Sequence, residues 1–304
     1  RVDIAAFQKV MIVYNRNSGK QLFASMLARV NEVKKRLKQV IDPKSLEIVE
    51  IKSFEQVEGL AARICQEKYD WIIVAGGDGT LRAIIDVFAK HEHMPYVSVF
   101  PAGTVNLVAK ELLMSNDPAK WVKRVSKGIV SPVQLGKANG HIFLTVAGIG
   151  VDNVSELEKK LLSKLAYVWQ GTEMMRKEFV YSNWRYKFQV RLDDEEEWYE
   201  ASSVIVGKSR YYAGRYSLFN GASLCVPQLH VAIFTGDTRA DFMRYAAVIA
   251  MEALQLDKSI IIRHAQKIEI RCNVEDFAAE LDGDAITSAP LQIELHPVPI
   301  NFLA

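Results

Sequence analysis

The sequence predicts an α/β plus all-β protein: an N-terminal three-layer α/β domain with a mainly parallel sheet, then a C-terminal antiparallel β-sandwich. Three observations carry this. Up to about residue 128, short apolar runs alternate with helix-length stretches, the pattern of strand–helix–strand crossovers. Beyond that point strand-length runs follow one another with few helices between them, as in meanders and sandwiches. Finally, three N-terminal strands each lead into a polar, glycine-containing loop, and such loops line one edge of a parallel sheet, where α/β proteins bind ligands.

In chain order, strands are expected at Val10–Tyr14, Leu46–Ile51, Trp71–Ala75 and Tyr96–Phe100. Helices are expected at Leu22–Val40, Glu55–Glu67, Leu81–Ala89 and from about Thr104 to Leu113. The later strand-like runs are Val133–Ala138, Ile142–Ala147, Trp184–Leu192, Glu200–Val206, Leu229–Phe234, Lys267–Ile270 and Leu291–Leu295. Helices interrupt them at Val154–Lys177 and Ala240–Leu254. Asn139-Gly140 marks a hairpin, because type I′ turns need two residues that tolerate positive φ. The domain boundary is expected at 128/129, with the extreme C-terminus able to pack back on the first domain.

Bulk properties bound the function. The 304 residues include 38 Lys and Arg against 36 Asp and Glu, a net charge of +2, which is too weak a field to indicate nucleic acid. Three scattered cysteines, Cys65, Cys225 and Cys272, give neither a disulfide framework nor a zinc pattern, so a reducing cytoplasm is expected. No run of roughly 18 apolar residues suggests a spanning helix. Arg1–Gln8 lacks the charged-then-apolar layout of a signal peptide.

Gly76-Gly77-Asp78-Gly79-Thr80 is the most informative stretch, since it follows one strand directly and opens the next helix. Glycines let backbone amides approach an anion, and the helix N-terminus adds its positive end. Asp78 beside a phosphate points to a cation or a ligand hydroxyl nearby. The segment is not a Walker sequence, and Arg82 stands where a dinucleotide fingerprint needs its third glycine. The companion loops are Asn15-Arg16-Asn17-Ser18-Gly19-Lys20 and Pro101-Ala102-Gly103-Thr104-Val105-Asn106.

Taken together, these loops resemble the Asn-Pro-x-Ser-Gly, Gly-Gly-Asp-Gly-Thr and Pro-x-Gly-Thr-x-Asn segments of the diacylglycerol kinase catalytic family, which includes bacterial lipid kinases and sphingosine kinases and is related to NAD kinase. The likeness continues through Gly148–Asp152, Leu165–Tyr167, Tyr211–Gly214 and Leu281-Asp282-Gly283-Asp284, covering nearly the whole chain. It implies ATP and Mg2+ as cofactors and transfer of the γ-phosphate to a lipid hydroxyl. Residues 1–128 would be the nucleotide-binding domain and 129–304 the lipid-substrate domain. Contact with a membrane would be peripheral, from the cytoplasm, and a homodimer is compatible with the resemblance.

Residue by residue, the resemblance assigns Gly76, Gly77, Asp78, Gly79 and Thr80 to the nucleotide, with Asn15 and Ser18 framing it and Gly103, Thr104 and Asn106 bordering it. It makes Asp282 the base for the lipid hydroxyl, with Asp284 as the second catalytic carboxylate. A single positioned carboxylate suits phosphoryl transfer, which depends mainly on alignment and charge neutralisation.

The chain departs from the pattern at Arg16, where proline is usual, and at Asp284, where glutamate is. Gln134 stands where an aspartate organises metal and water, and Leu107 where some members carry aspartate. Lys159, Lys160 and Lys164 are candidates for neutralising phosphate. The run Lys34, Lys35, Arg36 and Lys38 reads as a solvated helix face, with anionic headgroups the sharper alternative. Asp193–Glu197 reads as a hairpin tip, and His91-Glu92-His93 lacks the further ligands zinc needs. Two other readings stay open: a nucleotide or lipid sensor with little catalysis, and a soluble-metabolite kinase such as NAD kinase.

Overall fold

A computed structural model describes residues 1–15, 23–53, 55–91, 93–149, 187–212, 216–272, 278–287 and 290–304. The expected helix at Val154–Lys177 and the segments Gly150–Asp152 and Leu165–Tyr167 lie outside the described residues, as do Arg16 to Lys20, Lys159, Lys160, Lys164, Ala213 and Gly214.

The chain divides into two compact units, residues 1–134 with 297–304, and residues 135–296. In the first, β1 (Val10–Asn15), β2 (Leu46–Ile51), β3 (Trp71–Gly76) and β4 (Tyr96–Pro101) run parallel in the order β2-β1-β3-β4. Every residue of β3 is buried, which is why it reads as a continuous apolar run rather than an alternating one. Two further strands extend the sheet. β18 (Ile300–Leu303) pairs parallel to β4, and β5 (Val130–Val133) pairs antiparallel to β18. β5 lies past the 128/129 position read from the sequence, and its pairing with β18 keeps it in the first unit.

The helices of this unit are α1 (Phe23–Leu37), α2 (Glu55–Gln66), α3 (Asp78–Phe88), α4 (Leu107–Glu111) and α5 (Pro118–Val125), with α1 packed on α5 and α2 on α3. Trp71 and Trp121 stack with centroids 6.3 Å apart. Their indole N–H groups donate to Ser98 Oγ and Val99 O, and Ser98 donates in turn to Leu303 O at 2.7 Å. The polar side-chain atoms of Trp71, Ser98 and Trp121 are thereby satisfied.

Two sequence expectations are corrected here. The helix expected from Thr104 to Leu113 is only Leu107–Glu111, because Asn106 (φ 54°) and Leu113 (φ 55°) both take left-handed backbone that no helix continues through. α5 was not anticipated, although Asp117-Pro118 is a helix-start signal: Asp117 accepts from Lys120 N at 2.8 Å and proline occupies the first turn.

The second unit holds two six-stranded antiparallel sheets. One is built from β6 (Gly136–Ala138), β7 (His141–Phe143), β9 (Phe188–Leu192), β10 (Tyr199–Ala201), β14 (Lys267–Cys272) and β17 (Leu291–Leu295), in the order β10-β9-β14-β17-β6-β7. The other uses β8 (Val146–Ile149), β11 (Ser203–Gly207), β12 (Leu229–Phe234), β13 (Ile260–Ala265), β15 (Ala278–Leu281) and β16 (Asp284–Thr287), in the order β13-β12-β11-β8-β15-β16. Their facing side chains form one core, with Phe143, Phe188, Ile268 and Ile293 from the first sheet and Ile149, Val204, Val231 and Leu281 from the second. The outer face of the second sheet is covered by α6 (Arg239–Ala250) through Tyr245, Val248 and Ile249. The fold is therefore an α/β unit followed by an antiparallel sandwich, as the sequence predicts.

The run Val133–Ala138 is not one strand. It breaks after Val133 and resumes at Gly136 in a different sheet. Ile142–Ala147 likewise splits at Leu144-Thr145 into β7 and β8. The Asn139-Gly140 hairpin forms as expected, with φ of 45° and 91° and Ala138 paired to His141. Asp193 lies at the β9–β10 hairpin tip and accepts from Gln266 N and Lys267 N.

Candidate active site

Two loops of the first unit meet backbone to backbone. Gly76 ends β3, and Gly77 caps α3 from an extended conformation without any side-chain acceptor. A Cβ added at Gly103 would lie 2.5 Å from Gly77 Cα and 2.7 Å from Asn106 Oδ1, so only glycine fits there. At Gly79 the situation is opposite. It is exposed in the first turn of α3, and an added Cβ would meet nothing within 4 Å, so packing gives no reason for glycine.

Asp78 and Asn106 hold the second loop. The Asp78 carboxylate accepts from Leu107 N at 2.7 Å and Val108 N at 3.2 Å, serving as the N-cap that α4 otherwise lacks. Asn106 Oδ1 accepts from Gly103 N at 3.0 Å while its amide donates to Gly103 O at 2.7 Å. Asn15 Nδ2 reaches Thr80 Oγ1 at 3.4 Å, tying the end of β1 to the buried Thr80 in the first turn of α3. Of the residues singled out in the sequence for this region, Asn15, Gly76, Gly77, Asp78, Thr80, Gly103 and Asn106 are thus linked by contact or hydrogen bond. Gly79 and Thr104 are exposed beside them, and Ser18 lies outside the described residues.

In the second unit, Asp282-Gly283 is the two-residue turn of the β15–β16 hairpin, with φ of 52° and 92° and Leu281 paired to Asp284. Asp-Gly is as strong a hairpin signal as Asn-Gly, so this turn was legible in the sequence as structure too. The Asp282 carboxylate is a hub for the break between β7 and β8. Oδ1 accepts from Thr145 N (2.8 Å), Thr145 Oγ1 (2.6 Å) and Val146 N (3.1 Å), and Oδ2 accepts from Leu144 N (2.7 Å). Each carboxylate oxygen offers about two lone-pair sites, so Oδ2 keeps acceptor capacity. Asp284 is exposed on the next residue but one, and Gln134 is half-buried.

Sequence reading missed how far the anchorage of Asp282 extends. Thr145, 2% exposed, holds Asp282 by its amide and hydroxyl, while its carbonyl accepts from Lys208 N and Ser209 N. Lys208 is fully buried and its ammonium donates to the carbonyls of Ser223, Leu224 and Val226. Among the described residues no three His, Cys, Asp or Glu side chains converge as a metal cage requires, and no helix is long and apolar enough to cross a membrane.

This arrangement can be set beside known proteins. The profile of the diacylglycerol kinase catalytic domain matches residues 9–138. A diacylglycerol kinase of Staphylococcus carnosus is 33% identical over 175 residues, 55% of this chain and 55% of that relative. The chain thus spans about half the length of that relative. A diacylglycerol kinase of Bacillus subtilis is 26% identical over 284 residues, 91% of this chain and 90% of the relative. A diacylglycerol kinase crystal structure from Bacillus anthracis str. Sterne shares the fold with a TM-score of 0.78 at 24% identity, covering 98% of this chain and 97% of that one.

Proposed function

We propose, from the match of residues 9–138 to the diacylglycerol kinase catalytic domain, that this chain is a lipid kinase transferring the γ-phosphate of ATP to a hydroxyl of diacylglycerol or a related lipid. The observation that carries the reading is the glycine pair Gly77 and Gly103. Their backbones approach with no side chain between them, beside the N-terminus of α3, where helix geometry favours an anion. Gly79, which packing does not require, fits the same reading as a place of close ligand approach.

The family resemblance assigns phosphate binding to residues of the first unit and the catalytic carboxylates to residues of the second. Amides at the start of α3 receive phosphate oxygens; Asn15 and Thr80 fix the strand end beside them, and Asp78 and Asn106 hold the Gly103 loop in place. Asp282 orients the acceptor hydroxyl through Oδ2, with Asp284 as the neighbouring carboxylate. The lipid oxygen bonds to the γ-phosphorus as the bond to the β-phosphate oxygen breaks, ADP leaves, and the hydroxyl proton passes to a carboxylate. Little is asked of that carboxylate as a base, because phosphoryl transfer needs little proton abstraction before the bond forms. Mg2+ would neutralise phosphate charge. Magnesium commonly keeps several waters and takes only one or two protein carboxylates beside the phosphates.

A second reading, a nucleotide or lipid sensor of low activity, is favoured by one observation: the Asp78 carboxylate is committed to α4 amides while position 134 is a neutral glutamine. Incubation with magnesium and γ-labelled ATP against a panel of lipids in mixed micelles, with NAD included, separates the readings. Labelled lipid is expected. Label on NAD, or ATP binding with no labelled product, would overturn the kinase reading.

A further inference from the structure

We propose that the outer end of α4 and the exposed face of α5 form the surface by which this chain docks on a bilayer containing anionic phospholipid. The inference rests on the lipid-kinase reading for its partner and on four features of the first unit for its place.

The first is Leu113. α4 ends in a Schellman arrangement: Leu113 N donates to Lys110 O at 3.1 Å and Met114 N to Ala109 O at 2.7 Å. The residue between, in left-handed backbone, is usually glycine or asparagine. Here it is leucine with φ 55° and 70% of its surface exposed. A leucine there costs conformational energy that glycine or asparagine avoids, and it recovers nothing by burial. Stability of the fold therefore does not account for it.

The second feature is Val105, 51% exposed at the other end of the same short helix, on the loop that carries Gly103. The third is charge. α5 buries Trp121, Val122 and Val125 and exposes Lys120 and Lys123, whose spacing of three places them on one helix face, and exposed Lys127 follows in the turn beyond the helix. The fourth is where the charge collects. Residues 104–127 hold five cations against two carboxylates, although the whole chain carries only +2. Apolar side chains in a basic surround match the boundary of an anionic bilayer, whose headgroups attract Lys and whose acyl region receives Leu and Val. The contrast within this chain is Leu256, 72% exposed in the second unit, beside Asp257, which is paired with Arg244.

The test uses vesicles of phosphatidylcholine and phosphatidylglycerol without nucleotide, read by co-sedimentation, with thermal midpoint and phosphorylation of a dispersed short-chain diacylglycerol measured in parallel. Leu113→Asn is expected to weaken vesicle partitioning about tenfold and to raise the midpoint by about 2 °C, leaving activity on the dispersed lipid unchanged. A purely structural leucine would not give these opposite signs. Lys120→Glu with Lys123→Glu is expected to weaken partitioning and flatten its salt dependence, and Leu256→Asn to change nothing. The proposal is overturned if wild-type protein ignores the vesicles, if Leu113→Asn partitions normally, if Leu256→Asn is the variant that loses binding, or if sedimentation velocity shows Leu113 holding a second copy of the chain. Should vesicle binding depend on Leu113 while no lipid is phosphorylated, the docking surface stands and the kinase reading fails.

Discussion

Gly103 and Gly77 approach so closely that a single Cβ on Gly103 would sit 2.5 Å from the Gly77 Cα. Two loops that leave neighbouring parallel strands are thereby fixed against each other without any side chain between them.

Gly103→Ala is expected to destabilise the first unit by about 2 kcal/mol, because the atoms it meets are backbone and cannot swing aside. ATP affinity should fall with it. Gly79→Ala meets nothing and should leave thermal stability unchanged or slightly raised, since alanine is the better helix former, while ATP affinity drops about tenfold. Thermal unfolding and nucleotide titration of the two variants check this. Equal ATP affinity in Gly79→Ala and wild type would remove Gly79 from the phosphate site.

Asp282 and Asp284 should part in their phenotypes. Asp282→Asn presents an NH2 group to donors that now find carboxylate oxygens, so stability should fall by about 2 kcal/mol along with activity. Asp284→Asn, exposed on β16, should keep the wild-type melting curve and lower kcat. Thr145→Val removes one donor to Asp282 Oδ1 and should cost about 1 kcal/mol. The measurement is denaturant unfolding beside steady-state kinetics, and a fully active Asp282→Asn would end its assigned role.

His230 makes the second unit acid-sensitive. It is 2% exposed, its Nε2 has no hydrogen-bond partner among the described residues, and His264 lies edge-on 4.5 Å away on β13. Burial, followed by the charges of His264 and Lys208, lowers its pKa from 6.5 to about 4. The unfolded chain therefore takes up this proton in a range where the folded chain refuses it. The neutral form's contribution is fully present above pH 6.5 and is lost as pH falls from there toward 4, by up to about 3 kcal/mol. His230→Phe should flatten that limb of the stability profile, and an unchanged profile would refute the assignment.

Gln134→Asp tests whether the amide limits catalysis. The substitution restores the carboxylate that the family resemblance places at this position, and lipid phosphorylation is expected to rise several-fold, with tighter magnesium dependence. No gain, in protein that binds ATP, would favour the sensor.

Much of this was legible in the sequence. Crossover units and the antiparallel half show in the spacing of apolar runs, because the period of burial is written directly into side-chain type. The glycine loops show because strand-to-helix turns that approach an anion exclude side chains, and Asn139-Gly140 shows because its turn demands positive φ. What only the tertiary structure decided is where the polar groups spend their hydrogen bonds. Asp78 reads as a metal or ligand carboxylate and also caps α4; Asp282 reads as a base and is also the clasp of the β7–β8 break. Both bind backbone amides far along the chain, and every non-proline residue offers the same amide, so no residue type announces the partner. The sequence allows the extreme C-terminus to pack back on the first domain, but the seat of β18 between β4 and β5 is decided by pairing through the backbone alone.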